Sequence, residues 1–283
     1  MTVFRNKPEA FFDLVVHDVN RTPGLTGASA GFESGEWRNE EMADYLYEWL
    51  PEFALKYSDL EDLNSSTAVR LIKKAAKTVF TTKKYKKRGE FGELLLHALI
   101  REIFGSEPAI SKIYYKSALN ETVKGFDAVH VVENDGELEL WLGEVKFYKS
   151  ISSAIRDVKQ ELEDHTRNDY LRDEFILISS KIDSRWKHRE QLNKLISSRK
   201  SLDTVFKCIC LPVLLTYESS CVSSHTETCE EFKHSLKEEL QKAYEKFTEG
   251  NLPPIRIHLF LVPLDKKEEL ISILQNKLEG LQR

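Results

Sequence analysis

Two charged side chains stand near the end of an apolar segment of this sequence. Glu144 and Lys146 lie inside the apolar run Leu138 to Phe147, and Asp127 lies near the start of the preceding apolar run, Phe126 to Val132. On a strand, side chains two residues apart project to the same side, so Glu144 and Lys146 would face together. Uncompensated charge in a buried sheet is costly, which makes these three residues the first candidates for chemistry.

The residues between the two apolar runs predict how the runs pair. The sequence ENDG at 133–136 is typical of a β-hairpin turn, and this hairpin would bring Asp127 alongside Glu144 and Lys146. Two neighbouring carboxylates suit Mg²⁺, or Mn²⁺ in its place, because these hard cations prefer oxygen ligands. The sequence therefore predicts a site for a divalent cation on the hairpin.

This arrangement predicts phosphodiester chemistry. A bound divalent cation makes its water a stronger nucleophile and offsets the charge that develops on an attacked phosphate. Lys146 would orient that water or stabilise the transition state. The alternative is that Glu144 and Lys146 are only the solvent-facing positions of a half-exposed strand, since a Glu-x-Lys triplet also occurs by chance.

The apolar periodicity predicts helices and strands that alternate around a sheet. We expect a strand at Phe11–Val19, a Gly-rich loop at Thr22–Trp37 and an amphipathic segment at Glu41–Leu55 that Pro51 breaks. The predicted helices after the basic run are Gly89–Phe104, Ser152–Asn168, Lys187–Ser198, Glu227–Phe247 and Lys266–Leu281. The predicted strands there are Ile110–Tyr115, Gly125–Val132, Leu138–Phe147, Phe175–Ser180, Lys207–Tyr217 and Ile255–Val262.

The overall composition is that of a soluble globular protein. The 283 residues are 41% hydrophobic and 31% charged, with a net charge of −5. The longest apolar runs, such as Ile209–Leu215, are too short to cross a bilayer, and no charged-then-apolar leader opens the chain. We therefore expect a cytoplasmic protein, and its four cysteines do not indicate a disulfide framework.

Charge is distributed unevenly along the chain. Residues 1–72 carry 13 Asp and Glu against 6 Lys and Arg, whereas Lys73–Arg88 holds 8 basic residues and no acidic one. We predict an acidic N-terminal region at 1–72, for partner binding or regulation, and a second domain at 73–283. The basic run is either a solvated helix end with a linker or a surface that contacts DNA phosphates. In the second interpretation the contacts come from Lys83, Lys84, Lys86, Lys87 and Arg88.

The predicted elements resemble the core of the PD-(D/E)xK nuclease superfamily. They follow the order helix, three strands, helix, strand, with Asp on the second strand and Glu-x-Lys on the third. Phe126 stands where the namesake proline would precede the aspartate. Four segments make the resemblance more specific than a superfamily. They are GFESGEWR and YEWLPEFAL (within 31–55), RGEFGELLLH (88–97) and GFDAVHV followed by LWLGEVKFYKS (125–150). They are similar to HamA, the family of nuclease subunits of the bacterial Hachiman anti-phage defence system.

The resemblance implies an α/β fold with a mixed central sheet flanked by helices, with α+β additions at both ends. It also implies a Mg²⁺-dependent deoxyribonuclease that acts as a defence effector with a superfamily 2 helicase partner. Asp127, Glu144 and Lys146 stand at the matching catalytic positions. A glutamate of the first core helix would complete the metal site, with Glu93 favoured over Glu90. A non-cleaving DNA-binding or assembly module and a restriction or repair nuclease outside defence are the alternatives.

Three further interpretations concern residues around this core. His97 is interpreted as a partly buried histidine rather than a metal ligand, and Lys159 or Gln160 could face the scissile phosphate from the helix after the Glu-x-Lys strand. Aromatic and apolar residues of the N-terminal region could either form a partner interface or pack onto the sheet, and the resemblance favours the interface. These residues are Trp37, Tyr45, Tyr47, Trp49, Leu50 and Phe53.

Overall fold

A seven-stranded mixed sheet forms the centre of the protein. The structure is a computed structural model, and it describes residues 3–4, 6–79, 89–110 and 125–283. The strands formed by these residues are β1 (Asp13–Asp18), β2 (Gly24–Ser29), β3 (Phe32–Glu33), β4 (Glu36–Trp37), β5 (Glu107–Ile110), β6 (Ala128–Asn134), β7 (Glu137–Phe147), β8 (Ile209–Glu218) and β9 (Arg256–Leu264). The sheet has the order β1-β2-β9-β8-β7-β6-β5, and β3 pairs with β4 separately.

The strands of this sheet run in both directions. β2, β9, β8 and β7 are parallel neighbours, whereas β1, β6 and β5 are each antiparallel to the strand they adjoin. β8 is buried at nine of its ten positions, as expected for a parallel strand that is covered on both faces. The predicted α/β class with a mixed sheet flanked by helices is confirmed.

Helices cover both faces of the sheet. Those of the described residues are α1 (Asn39–Glu48), α2 (Leu50–Ala54), α3 (Tyr57–Glu61), α4 (Ala68–Val79), α5 (Glu90–Phe104), α6 (Ile151–His165), α7 (Asn168–Lys181), α8 (Arg189–Leu195), α9 (Leu202–Phe206), α10 (Ser220–Ser223), α11 (Glu230–Thr248) and α12 (Lys267–Gln282). Both α5 and α6 pack against β7, and α11 packs against β1 and β2. Within the described part of the chain, no helix is long and apolar enough to span a membrane.

The close approach of α5 to β7 determines which side chains point to which face. An added Cβ on Gly92 of α5 would lie 2.7 Å from the Val145 side chain, and one on Gly143 would lie 2.6 Å from a leucine of α5. Residues 143 and 145 of β7 therefore face α5. Because side chains alternate along a strand, Glu144 and Lys146 face the opposite side of the sheet, where α6 lies.

One predicted strand is wrong, because its apolar residues follow a helical period. The segment Phe175–Ser180 belongs to α7. Leu171, Phe175 and Ile178 are buried, whereas the two residues after Phe175 are exposed. Burial at spacings of four and three residues is the pattern of a helix with one covered face, and a short apolar run does not separate this pattern from a strand.

One predicted loop is also wrong, because its glycines serve close packing. The Gly-rich segment Thr22–Trp37 contains β2, which is buried at all six of its positions. A Cβ on Gly24 would lie 2.4 Å from the His258 ring, and a Cβ on Gly27 would lie 2.5 Å from Leu240. These glycines let neighbouring side chains approach the strand, and they do not indicate a turn.

The other predicted helices and strands are confirmed within a few residues at each end. The amphipathic segment is divided next to Pro51, as predicted: α1 ends at Glu48, and α2 begins at Leu50 with Pro51 in its first turn, where a missing N–H costs nothing. Of the predicted strand Ile110–Tyr115 only Ile110 is described, and it belongs to β5, which begins earlier than predicted, at Glu107. Residues 111–115 of the predicted strand lie outside the described residues.

The aromatic residues of the N-terminal region belong to the protein's own core. Tyr47 is partly buried, and the other residues proposed for a partner interface are buried: Trp37, Tyr45, Trp49, Leu50 and Phe53. The prediction that they form an interface is therefore wrong. Because β1 and β2 also join the central sheet, the predicted boundary at residue 72 does not coincide with a break in the sheet. That residues 1–72 have a separate function stays a prediction.

Arg101 ties this N-terminal region to α5 in the interior. Its side chain is 1% exposed and donates to both carboxylate oxygens of Glu52, at 2.6 and 3.0 Å, and to the backbone carbonyls of Phe4 and Ser106. Burial alone would raise the pKa of Glu52, but the nearby His97 imidazole and the hydrogen bonds from the Arg101 guanidinium hold that pKa below its ordinary value. Removing one partner of such a buried pair leaves the other charge uncompensated.

We expect Glu52→Gln to lower the free energy of unfolding by roughly 3 kcal/mol, because the buried Arg101 guanidinium loses its counter-charge. Glu48→Gln, on the exposed surface of α1, is the matched control and should change it by less than about 0.5 kcal/mol. Urea unfolding followed by circular dichroism measures both variants. Equal stabilities would contradict the role given to this pair.

Candidate active site

The β6–β7 hairpin brings Asp127 beside Glu144, as predicted. Ala128 pairs with Gly143, and one residue earlier the Asp127 N–H donates to the Gly143 carbonyl at 2.7 Å. The Asp127 Oδ2 atom accepts a hydrogen bond from the Val145 N–H at 2.8 Å. The aspartate carboxylate is therefore held against the backbone between the glutamate and the lysine of the Glu-x-Lys triplet.

The turn of this hairpin also matches its sequence signal. Asp135 and Gly136 connect the two strands with φ angles of 50° and 83°. Two successive residues in the left-handed region form the tight turn that fits the right-handed twist of paired strands, and Asp-Gly favours it. A two-residue turn fixes the strand register, so it also fixes which residues face Asp127.

Glu144 and Lys146 are buried, so the interpretation of a half-exposed strand is wrong. Their side chains are 1% and 7% exposed. Each has a partner of opposite charge on α6, because His165 Nδ1 contacts the Glu144 carboxylate and the Lys146 ammonium donates to Glu161. Burial of these charges is thus offset by specific ion pairs rather than by solvent.

A third pair continues this arrangement, so α6 and the end of β7 form a ladder. Tyr148, which follows β7, lies close enough to Asp157 for each group to shift the pKa of the other. The helical members, Asp157, Glu161 and His165, are spaced by four residues and share one helix face. Their partners at 148, 146 and 144 are spaced by two and share one strand face. We call these three pairs the α6–β7 ladder.

The start of α6 fixes how this helix lies against the strand. The Ser150 side chain caps the helix by accepting the Ser153 N–H at 3.4 Å, only three residues after β7 ends. The chain therefore turns back directly, and the helix runs antiparallel to β7 over the ladder. Ala154, Ile155, Val158 and Leu162 supply its buried apolar surface.

The electrostatics of Glu144 differ from those of a surface glutamate. Burial raises the pKa of Glu144 to about 8, the nearby Asp127 and Glu161 add to the rise, and His165 opposes it. Burial would lower the pKa of His165, but its hydrogen bond to Glu144 raises that pKa above the ordinary value. The two groups therefore titrate as one coupled pair.

The predicted first-helix carboxylates belong to α5, which packs on the face of β7 opposite α6. Glu93 is in the first turn of α5, is 8% exposed and follows Gly92, which packs on Val145 and Phe147. Among the residues that the structure describes, no three His, Cys, Asp or Glu side chains form a ready-made metal cluster. The assignment of Glu93, or of Glu90, to a metal site stays a prediction.

Other residues singled out from the sequence have different surroundings from those expected. Lys159 donates to the Glu249 carbonyl. Gln160 is exposed and donates to Asp164 at 3.2 Å. In this part of α6, Glu161 is the residue that belongs to the α6–β7 ladder. His97 is fully buried, and its Nδ1 lies 3.2 Å from His130 Nε2. The predicted DNA contacts Lys83, Lys84, Lys86, Lys87 and Arg88 lie outside the described residues.

Glu161 and His165 were not among the predicted site residues, although the sequence holds a signal for them. Polar residues at 157, 161 and 165 follow a four-residue spacing on a helix that comes directly after the Glu-x-Lys strand. A helix that returns over its preceding strand places such a row against alternate strand residues. Matching the helix residues at four-residue spacing with residues 144 and 146 of the strand would have indicated both partners.

Comparison with known proteins gives two matches. A family model described as HamA matches residues 9–278. Anti-bacteriophage protein A of Escherichia coli K12 is 24% identical over 253 residues, which are 86% of this chain and 45% of that protein. The chain thus spans less than half the length of this relative.

The coupled pair predicts a pH dependence of stability. A group whose pKa is raised on folding stabilises the folded state at low pH, and this contribution is lost as the pH rises through the folded pKa. Glu144 and His165 both have raised pKa values, so both act in this direction. Glu144→Gln, which mimics the protonated form, should therefore gain stability relative to the unmodified protein as the pH rises from about 5 to about 9.

Thermal unfolding in the presence of a chelator, across this pH range, measures the difference. Glu137→Gln on the exposed start of β7 is the control, and its difference from the unmodified protein should not vary with pH in the same way. A constant difference for Glu144→Gln would show that burial does not disfavour the ionised carboxylate.

Proposed function

The chain belongs to the HamA family, and from this premise and the Asp127–Glu144–Lys146 cluster we propose that it is a metal-dependent DNA nuclease. The reaction is hydrolysis of a phosphodiester bond. The observation that carries the proposal is that two adjacent carboxylates and a lysine share one face of the hairpin, with Glu144 and Lys146 buried and Asp127 partly buried. Charges on a sheet interior are costly to place, and a cation with a phosphate substrate accounts for them.

The order of helices and strands supports a PD-(D/E)xK core. α5 precedes β5, β6 and β7, α6 follows, and β8 then pairs parallel to β7. The carboxylate at 127 directly precedes β6, and the Glu-x-Lys triplet lies on β7. This is the order that the resemblance implies, with three helices inserted between α6 and β8.

The donor set fits Mg²⁺ or Mn²⁺. Asp127 and Glu144 offer carboxylate oxygens, and Mg²⁺ commonly binds one or two protein carboxylates while it keeps several waters. When bound, such a cation supplies Lewis-acid stabilisation of the phosphate and a more acidic water. The protein's part is to hold the two carboxylates side by side, and the Val145 N–H does this for Asp127.

Lys146 is placed to stabilise negative charge on the scissile phosphate. Its ammonium has three N–H donors, so the contact with Glu161 leaves donors for a phosphate oxygen. A preorganised cation beside developing charge is the kind of group that lowers an activation barrier. While no substrate is bound, the Glu161 carboxylate accepts from this ammonium.

A role in anti-phage defence is the biological setting that we propose. The relative in Escherichia coli is named anti-bacteriophage protein A, which supports this setting. We also propose a superfamily 2 helicase as the partner, as the family resemblance implies. The partner does not bind through the N-terminal aromatic residues, because the core of the chain covers them. A non-cleaving DNA-binding module is disfavoured, since it has no use for the buried charges.

We expect Glu144→Gln and Lys146→Ala each to reduce DNA cleavage by about 10²-fold or more, because each removes charge that acts on the transition state. Cleavage of linear and circular DNA with Mg²⁺ or Mn²⁺, with and without a helicase partner, is the measurement. Glu137→Gln and Lys242→Ala, both exposed, are the matched controls and should keep full activity.

Circular dichroism and the gel-filtration volume show whether each variant is folded. The assignment fails if folded Glu144→Gln cleaves DNA as fast as the controls. Cleavage that persists in a chelator would also contradict a metal-dependent mechanism.

The basic run supports DNA as the substrate through its described half. Lys73, Lys74 and Lys77 of the run, together with Arg70 just before it, lie at spacings of three and four on α4. Lys74 pairs with Asp59 at 2.7 Å. Arg70, Lys74 and Lys77 are exposed. Cations on one helix face can displace counterions from a phosphate backbone.

Replacing Lys73, Lys77, Lys83 and Lys84 by Gln should weaken DNA binding and flatten its salt dependence. On duplex DNA the log–log slope should fall by about 0.9 for each lysine that no longer binds a phosphate. Fluorescence anisotropy at several salt concentrations measures both quantities. The charge-matched control replaces the exposed α11 residues Lys233, Lys237, Lys242 and Lys246. An identical slope for the two quadruple variants would assign the basic run to the solvated surface.

A further inference from the structure

We propose that His165 is a positioning residue, which fixes the Glu144 carboxylate in the orientation that binds the divalent cation. The inference rests on the proposed function and adds a residue of α6 to the site. Its basis is the direct contact between His165 Nδ1 and Glu144 Oε1 within the α6–β7 ladder. No residue of α6 belongs to the Asp, Glu and Lys set that the sequence motif supplies.

A buried glutamate needs such a partner to be a well-oriented ligand. The Glu side chain has three rotatable bonds, so its carboxylate takes one direction only if the surroundings impose it. Asp127 obtains its orientation from the Val145 N–H at 2.8 Å. For Glu144 the described contact of this kind is the imidazole of His165, and it engages Oε1.

The imidazole ring is itself held rigidly. It stacks on Tyr170 with ring centroids 4.4 Å apart and an interplanar angle of 10°. On another side it meets the edge of Phe126, at 5.4 Å between centroids and an angle of 72°. Phe126 directly precedes Asp127, so the ring that orients Glu144 also packs on the backbone segment that carries the second carboxylate. His165 thus couples the positions of both carboxylates.

The neighbouring pair of the α6–β7 ladder, Glu161 with Lys146, is held less rigidly. Glu161, which contacts Lys146, has a side chain that is 40% exposed, whereas the His165 side chain is 17% exposed. An ion pair with an exposed partner is weakly held. Of the α6 residues in the ladder, His165 is therefore the one whose substitution should change the orientation of the metal-binding carboxylates. Partners that orient metal ligands typically contribute 10- to 100-fold to metal affinity.

Two substitutions separate the hydrogen bond of His165 from its packing. His165→Phe keeps an aromatic ring between Phe126 and Tyr170 but has no donor for Glu144. His165→Asn loses the ring but places an amide N–H close to the position of Nδ1. His234→Phe, at an exposed histidine of α11, is the matched control.

Mn²⁺ binding by the full chain, measured by titration calorimetry and by the electron paramagnetic resonance signal of free Mn²⁺ at one fixed pH, is the readout. We expect His165→Phe to weaken Mn²⁺ binding by about 10- to 100-fold. His165→Asn should recover most of the affinity, and His234→Phe should match the unmodified protein. Lys146→Ala should keep Mn²⁺ binding while it loses cleavage, which distinguishes ligand positioning from catalysis.

Normal Mn²⁺ affinity in folded His165→Phe would overturn the positioning role and leave the nuclease proposal intact. Weak binding by His165→Asn together with normal binding by His165→Phe would also overturn it, because ring packing and not the hydrogen bond would then matter. If the unmodified protein binds no Mn²⁺ and cleaves no DNA, the proposed function itself fails.

Discussion

The pairing of α6 with the charged face of β7 is the interaction on which the site depends. Glu144 and Lys146 lie on a strand that is covered on both faces, where water does not solvate them. Their charges are tolerated because His165 and Glu161 face them from a helix that begins four residues after the strand ends. The short connection makes this partnership local in sequence.

The other face of β7 imposes a complementary constraint. Gly92 and Gly143 allow α5 to lie against the strand, and this close packing turns the charged residues toward α6. α5 is held in turn by Arg101, which connects it to Glu52 of the N-terminal region. The N-terminal strands β1 and β2 then complete the sheet beyond β9. The site is therefore supported by parts of the chain that are distant in sequence, although its own residues are close together.

The sequence predicted the parts of the structure that depend on local signals. The hairpin was predictable because Asp-Gly defines its turn and strand alternation then places Asp127 beside Glu144. β2 was missed because its glycines serve contacts with His258 and Leu240, which are more than 200 residues away. The strand predicted at 175–180 was wrong because a short apolar run has the same local pattern in a buried helix. Glu161 and His165 are intermediate between these cases. Their four-residue spacing is visible in the sequence, but it indicates site residues only once α6 is known to return over β7.

The charges of the ladder also bear on the order in which a cation and a nucleic acid would bind. Asp127, Glu144, Glu161 and Asp157 are four carboxyl groups around one lysine and one histidine. When the Glu144–His165 pair holds one proton, the remaining three carboxylates outnumber the two cations Lys146 and Arg156, which pairs with Asp157 at 2.8 Å. The cluster is then net negative, and a phosphate would be repelled there at short range. A divalent cation between Asp127 and Glu144 would reverse the sign of the local field. Under the proposed function, binding of the cation is therefore what makes the cluster attractive to DNA. Residues that orient the carboxylates then affect DNA binding indirectly, because they control binding of the cation.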